Sequence, residues 1–346
     1  MRQALRPHLR WHGARLTFLA EFLIAVFRVK TVNLAELATG FSGRAKVESP
    51  YKRLRRFFRD YELDYGAWTR LIAAWMSRET AWRLSLGRTQ WHFGSGVVNI
   101  LVLALVHQGV AIPLVWLFLP NRSNAYTYQR LVLMQRFRLF FPAQAVAFVS
   151  ADREFIGREW VHDRYRERSS FRIRIRDKAW LDDGHRKLKG QVLFAHLQPG
   201  QTQVLNQPRK LWGQRVYIAA ARLDDGALLI GATSDSPDQA LAAYATRWQS
   251  ETLFGCLKTR GFCLAATHLS NPTALSKLLA LLTLALGWAI RTGTGQIQQH
   301  PLPLKKHGRR AKSIFRVGLD HLRNILLNLE HRLADFQVAL LVLSST

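Results

Sequence analysis

Residues 97–119, VVNILVLALVHQGVAIPLVWLFL, are apolar almost throughout, with one polar break at His107–Gly109. Alternating residues suit a sheet with one wet face, whereas unbroken apolar runs suit strands covered on both faces. The spacing therefore predicts two buried strands turning near His107 to Gly109. Upstream, AWRLSLGRTQWHFG sets Trp82, Leu84 and Leu86 in alternation with polar or small residues, as in a further strand. Downstream come a helical stretch over 123–140 and another buried strand in AVAFVSADREF, whose apolar run stops at Asp152. Strands, a helix and a further strand describe a mixed α/β sheet, with Asp152 where a core strand meets the surface.

The flanks read differently. Residues 1–80 carry helical apolar periods in LTFLAEFLIAVF and YGAWTRLIAAW, separated by ESPYKRLRRFFRDY. There Ser49 suits an N-cap and Pro50 a first helical position. Lys52, Arg53, Arg55, Arg56 and Arg59 spread around this helix, while Leu54, Phe57 and Phe58 give it an apolar side. It reads as a helix laid on DNA phosphates or in a groove, with an ordinary solvated face as the alternative.

Residues 169–236 are strand-rich. FRIRIR places Phe171, Ile173 and Ile175 on one face and Arg172, Arg174 and Arg176 on the other. The arginine face is either a phosphate platform or an edge strand protected by charge. VYIAAARLDDGALLIGATS reads as a hairpin about Asp225 and Gly226. From Asp238 the chain reads as helices, interrupted by a basic loop at 300–311, HPLPLKKHGRRA, suited to DNA or to a second protomer. The apolar run LLALLTLALGWAI (278–290) is too short to span a bilayer and reads as a buried helix. The expected divisions are 1–80, a helical DNA-binding region; 81–168, the first part of an α/β core; 169–236, a β-rich insertion; 237–292, a core helix and the buried helix after it; and 293–346, a basic loop with helices.

Fifty Lys and Arg against 23 Asp and Glu leave a formal net charge of +27. Such an excess calls for a polyanionic partner, and arginine, which supplies most of it, favours phosphate. Nucleic acid is expected rather than a membrane. Cys256 and Cys263 are the only cysteines and form no disulfide framework, which fits a reducing compartment such as the cytoplasm. Cys256 reads as a helix-packing thiol, and His92, His107 and His307 as polar surface or loop residues. The apolar stretch Leu16–Phe27 contains Glu21 and lacks a small-residue cleavage site after it, so no signal peptide is expected.

One glutamate stands out in YATRWQSETLFGCLK (244–258). On a helix, Tyr244, Arg247, Glu251 and Lys258 fall at roughly +20°, −40°, 0° and −20°, so all four share one narrow face. With Asp152 at a strand end 98 intervening residues upstream, Glu251 suggests Mg²⁺ held beside a phosphate. Two such ions can activate an attacking oxygen and stabilise the leaving one. The alternatives are a surface ion pair for Glu251 and a cap or turn role for Asp152.

The spacing Tyr, two residues, Arg, three, Glu, six, Lys resembles the YREK signature of insertion-sequence DDE transposases, in the large family numbered four. ADREFIGREW resembles that family's second-aspartate segment, RTQWHFG and NILVLALVHQGVAIPL its first strands, and KKHGRRAKSIFRVGLDHLR its C-terminal region. The resemblance implies an RNase H-like mixed-sheet core interrupted by a strand-rich insertion, between a helical N-terminal region that recognises transposon ends and C-terminal helices used in synapsis. It implies Asp152 and Glu251 as catalytic metal ligands for Mg²⁺, with Mn²⁺ as substitute, and Tyr244, Arg247 and Lys258 on the DNA end being cut. The partners implied are double-stranded DNA at terminal inverted repeats, target DNA, and a second copy as a homodimer on DNA, in the bacterial cytoplasm at the nucleoid. Trp180 and Trp248 are expected to pack in the core, with stacking on an extruded base as the alternative.

The first aspartate of that family lies just before Arg-Thr, and here LSLGRTQW puts Gly87 there. Ser85, two residues back, offers only a neutral hydroxyl. Asp60 and Asp64 belong to a helical region, and Glu154, two residues beyond Asp152, is not expected to take the first strand's place. Weakened metal binding, greatly reduced cleavage and surviving DNA binding are therefore expected. Three readings stay open: an impaired transposase, an active enzyme drawing a third ligand from elsewhere, and a non-catalytic regulator of transposon ends.

Overall fold

The structure is a computed structural model describing residues 1–43, 46–93, 96–120, 125–155, 157–239, 251–303 and 310–345. Five helices open the chain: α1 (Arg2–Leu5), α2 (Gly13–Val29), α3 (Leu34–Thr39), α4 (Glu48–Asp60) and α5 (Tyr65–Met76). Then come β1 (Ala81–Phe93), β2 (Gly96–His107), β3 (Val110–Leu119), α6 (Thr127–Phe140), β4 (Ala145–Ala151), α7 (Arg158–Arg166) and β5 (Phe171–Ile175). Shorter elements follow: β6 (Trp180–Asp182), β7 (Lys187–Lys189), α8 (Gly190–Leu193), β8 (Thr202–Val204) and β9 (Arg209–Leu211), before β10 (Gln214–Arg222) and β11 (Leu228–Thr233). The chain closes with α9 (described over 251–257), α10 (Pro272–Gln299), α11 (Ile314–Leu327) and α12 (Leu333–Ser344). Contacts divide it into two units, Glu79–Gln90 with Val97–Leu253, and Met1–Arg78 with Trp91–Gly96 and Phe254–Thr346.

The first unit is built on one sheet of 11 strands in the order β3-β2-β1-β4-β5-β11-β10-β9-β6-β7, with β8 beside β10. β2 and β3 pair antiparallel from Asn99↔Leu119 to His107↔Val110. Their turn is Gln108–Gly109, with φ of 50° and 79°, the positive values a two-residue hairpin turn requires. β4 runs parallel to β1, and β5 parallel to β4. The order β3-β2-β1-β4-β5 with this parallel trio is the RNase H-like core, and β6 to β11 carry the sheet onward from β5. On β1, Leu84, Leu86, Ser85 and Gly87 are all buried, as a strand covered on both faces must be.

β5 departs from one reading of FRIRIR. It is hydrogen-bonded to β4 on one side and to β11 on the other, so it is an interior strand and not a charge-protected edge. The expected boundary at 169 thus falls before a strand that shares the sheet of β1 and β4. Alternating charge marks a solvated face but carries no information about pairing.

In the helical unit α10 is the centre. It contacts α2, α4, α5, α11 and α12, and its residues from Leu278 to Ile290 are all buried. The expected apolar run grows to a 28-residue helix because Asn271 caps the N–H groups of Thr273 and Ala274 and Pro272 opens the first turn. That length and apolarity would suffice to cross a bilayer, yet 89% of its most apolar window is buried within the protein. α10 approaches α11 closely at two glycines: a Cβ at Gly318 would lie 1.7 Å from the Ala289 carbonyl oxygen, and one at Gly293 2.0 Å from that of Ile314. Buried donors find carbonyls: Trp68 Nε1 donates to Ala280 O (3.1 Å), Trp288 Nε1 to Ala339 O (2.9 Å) and Lys277 Nζ to Phe58 O (2.9 Å).

α4 starts two residues earlier than Ser49 and Pro50 suggest. Its N-cap is Val47, without a side-chain cap, and Pro50 sits buried in the first turn, where no intrahelical N–H bond is lost. Asp60 closes this helix, and Asp64 caps α5 by accepting from Ala67 N at 2.9 Å.

Candidate functional site

Pairing between β1 and β4 runs Ser85↔Ser150, then Leu86↔Ala151. The residues that follow this last pair on the two chains are Gly87 and Asp152. The strand-end carboxylate and the residue without a side chain thus each come one position past the end of the β1–β4 pairing. Asp152 is half-buried; its Oδ1 accepts from Arg153 N (2.7 Å) and its carbonyl from Phe155 N (2.9 Å). Phe155, 1% exposed, anchors this turn in the core. At the preceding level Ser85 is 2% exposed, and Ser150 Oγ donates to Leu84 O at 3.1 Å.

Arg88 follows Gly87 and projects from the opposite face of β1. Its Nη2 and Nε lie 2.9 Å and 3.2 Å from Glu154 Oε2. Glu154, two residues past Asp152, is thus held by an arginine on the far side of the strand. This pair was not foreseen in the sequence, since the two residues meet only through the β1–β4 register.

Glu251 is exposed at the start of the described part of α9, while Leu253, Cys256 and Leu257 are buried. Burial pushes the Cys256 thiol up to about 12, which suits packing rather than reaction. Tyr244, Arg247 and Trp248 lie outside the described residues, as does His307 with most of KKHGRRAK. Lys258 is half-buried with its ammonium 5.6 Å from the centre of the Trp91 ring, and desolvation lowers its pKa.

The divalent ions of a DDE centre need hard oxygen donors, and among the described residues no group of three or more His, Cys, Asp and Glu could hold a metal ion. At the β1–β4 strand ends Asp152 supplies a carboxylate and Gly87 supplies none. The side chains at that level therefore do not fit a carboxylate-bridged pair of ions.

The cations divide between paired and open. Arg172 is half-buried, stacked 3.8 Å over the Phe148 ring with Nε 3.4 Å from Asp235 Oδ2. Arg174 is half-buried opposite Gly231, and Arg176, past the strand end, is exposed. On α4, Lys52, Arg55, Arg56 and Arg59 are exposed while Leu54, Phe57 and Phe58 are buried. Arg53 rests 5.7 Å over the Phe41 ring, and Arg59 pairs with Asp60 at 2.6 Å. Trp180 is 50% exposed, which overturns its expected place in the core. On the three-residue strand β6, Leu181 takes the buried face and turns Trp180 outward. His92 is exposed, and His107 Nδ1 lies 3.2 Å from Glu79 Oε1.

Among curated proteins no relative matches. A cryo-EM structure of the piggyBac transposase synaptic complex with hairpin DNA is similar over 94% of this chain and 73% of that chain, with a TM-score of 0.50 and 9% identity. At that identity the likeness is one of fold. The family model described as Transposase DDE domain matches residues 92–288, more than half of the chain, and spans Asp152 and Glu251. The chain belongs to the transposase family that carries this DDE domain.

Proposed function

We propose that this transposase is of the YREK-signature insertion-sequence type, that it binds double-stranded DNA at terminal inverted repeats and at target sites as a homodimer, and that its strand cleavage is crippled at Gly87. The observation that carries the last point is the register Leu86↔Ala151, which Gly87 and Asp152 directly follow. A DDE site uses divalent ions, Mg²⁺ or Mn²⁺, to stabilise the charge that develops as a phosphodiester is displaced. Asp152 and Glu251 are the carboxylates left for that task, and a glycine brings no oxygen to join them.

DNA binding has separate support. The net charge of +27 and the exposed cations of α4 offer phosphate contacts that do not depend on the acidic site. A place in the bacterial cytoplasm, on the nucleoid, follows from the same reading. A second reading, a regulator that occupies transposon ends without cutting them, is favoured by the Arg88–Glu154 pair, which commits the nearest spare carboxylate.

The test is titration of labelled duplexes bearing the element's ends, against scrambled duplexes, over a range of salt. Preference for the ends is expected, with log K falling by about 0.9 for each phosphate neutralised per unit of log salt. Equal, salt-insensitive binding to both duplexes would refute the reading.

A further inference from the structure

Within the helical unit a cleft of about 930 Å³ opens where the start of α3, one face of α4 and the segment 268–274 leading into α10 meet. Leu34, Phe58 and Ala274 form its buried apolar floor, with Tyr51 and Leu269 half-buried beside them. Arg55, Arg59, His268 and Ser270 stand exposed around it. A recess of this volume, with an apolar floor and a few polar groups around it, has the anatomy of a small-molecule site.

Its polar groups are chiefly donors. Asn33 Oδ1 accepts from Ala35 N (3.0 Å), and Asn271 Oδ1 from Thr273 N (2.8 Å) and Ala274 N (3.3 Å). Both asparagines line the cleft with their amide oxygens committed to helix caps, so each has its N–H groups left to offer. Among the described residues no carboxylate lines the cleft. Arg59 lies 2.6 Å from Asp60, which answers part of its charge. Arg55 forms no ion pair among the described residues, and its guanidinium lies 6.0 Å from the centre of the Tyr51 ring.

Donors without matching acceptors select an anion, and a guanidinium fork favours a carboxylate or a phosphate. A terminal phosphate brings three acceptor oxygens to the three donor groups of Arg55, Asn33 and Asn271. The apolar floor, in turn, favours an ester over the bare ion. We propose that this cleft takes a free phosphate ester of nucleotide size, its phosphate on Arg55, Asn33 and Asn271 and its organic body on Leu34 and Phe58. A duplex meets the groups that protrude, whereas half-buried Asn33 and Tyr51 lie within reach of a small ligand. Arg55 and Arg59 also belong to the exposed cations of α4, so an occupied cleft withdraws them from DNA. That consequence rests on the DNA-acting reading above, and the site itself does not.

The test is isothermal titration calorimetry with adenosine diphosphate as the probe and adenosine as its phosphate-free counterpart, without divalent metal. One site per chain is expected for the diphosphate, with adenosine weaker by about 10- to 150-fold, as the loss of hydrogen bonds to a charged group implies. Arg55→Gln should weaken diphosphate binding by a similar factor. Asn33→Asp keeps the cap of α3, since aspartate caps as well as asparagine, but turns a donor into a charged acceptor and should abolish binding. Arg70→Gln, an exposed cation of α5 outside the cleft, should change nothing. No diphosphate binding by the unaltered protein, or equal losses in Arg55→Gln and Arg70→Gln, would overturn the inference. On a labelled duplex at matched ionic strength, saturating diphosphate should lower the salt slope by about 1.8, at about 0.9 for each of Arg55 and Arg59. An unchanged slope would overturn the competition with DNA. A duplex that the unaltered protein never binds would overturn the DNA-acting reading, with the calorimetry still deciding the site.

Discussion

A single methyl group at Gly318 should unseat α11 from α10. The Cβ of Gly318→Ala would lie 1.7 Å from the Ala289 carbonyl oxygen and 2.7 Å from both Ala289 C and Gly293 N. Ordinary contact begins near 3.4 Å, so the helices must part locally by as much as 1.7 Å. The obstacle is backbone, which no rotamer change can move aside. Overpacking usually costs about 1–3 kcal/mol, and a backbone clash belongs at or above the top of that range. A loss of about 3 kcal/mol raises the unfolded fraction of the helical unit by roughly 150-fold, at 1.36 kcal/mol per decade. Gly295→Ala is the control. That glycine lies in α10 itself but has nothing within 4 Å of its added Cβ, and helix propensity gives it a gain of about 1 kcal/mol. Urea unfolding followed by circular dichroism at 222 nm reads both variants. The midpoint should fall for Gly318→Ala and rise for Gly295→Ala. A Gly318→Ala midpoint equal to that of the unaltered protein would refute the close-packing argument.

Two further outcomes test the same unit. Lys277→Met removes the ammonium that donates to Phe58 O at 2.9 Å and Arg59 O at 3.4 Å, leaving the end of α4 without that donor. A loss of about 1–3 kcal/mol is expected, measurable as a lower melting temperature. His321 has its pKa lowered by burial and by Arg332, against a smaller opposing pull from Asp335. The unfolded chain then binds the proton more readily, so this residue's contribution is full above 6.5 and lost as pH falls through the folded pKa. The stability of the unaltered protein relative to His321→Gln should therefore fall between pH 7.5 and pH 5, and a constant difference would refute the assignment.

What the sequence made legible follows from the periods that residues impose. The runs on either side of His107–Gly109 became β2 and β3, and the LDDG turn became the β10–β11 hairpin, because burial on two faces and turn chemistry are local properties. Pairing is not local. FRIRIR has the alternation of a charge-protected edge, yet β11, more than 50 residues later, covers its free side. The matched positions of Gly87 and Asp152, and the Arg88–Glu154 pair, likewise appear only when β1 and β4 are set in register. The expected core place of Trp180 fails for the same reason, since the buried position on its short strand belongs to Leu181. The approach of Lys258 to the Trp91 ring likewise joins residues far apart in the chain.

The central claim is that a transposase scaffold lacks one metal-binding carboxylate at Gly87. It is tested most directly by cleavage of labelled DNA bearing the element's own ends, with Mg²⁺ or Mn²⁺, comparing the unaltered protein with Gly87→Asp. The account predicts cleavage by Gly87→Asp that exceeds that of the unaltered protein by orders of magnitude, with equal binding of the ends by both. Equal cleavage by the two proteins, or an inactive Gly87→Asp that still folds and binds those ends, would contradict it.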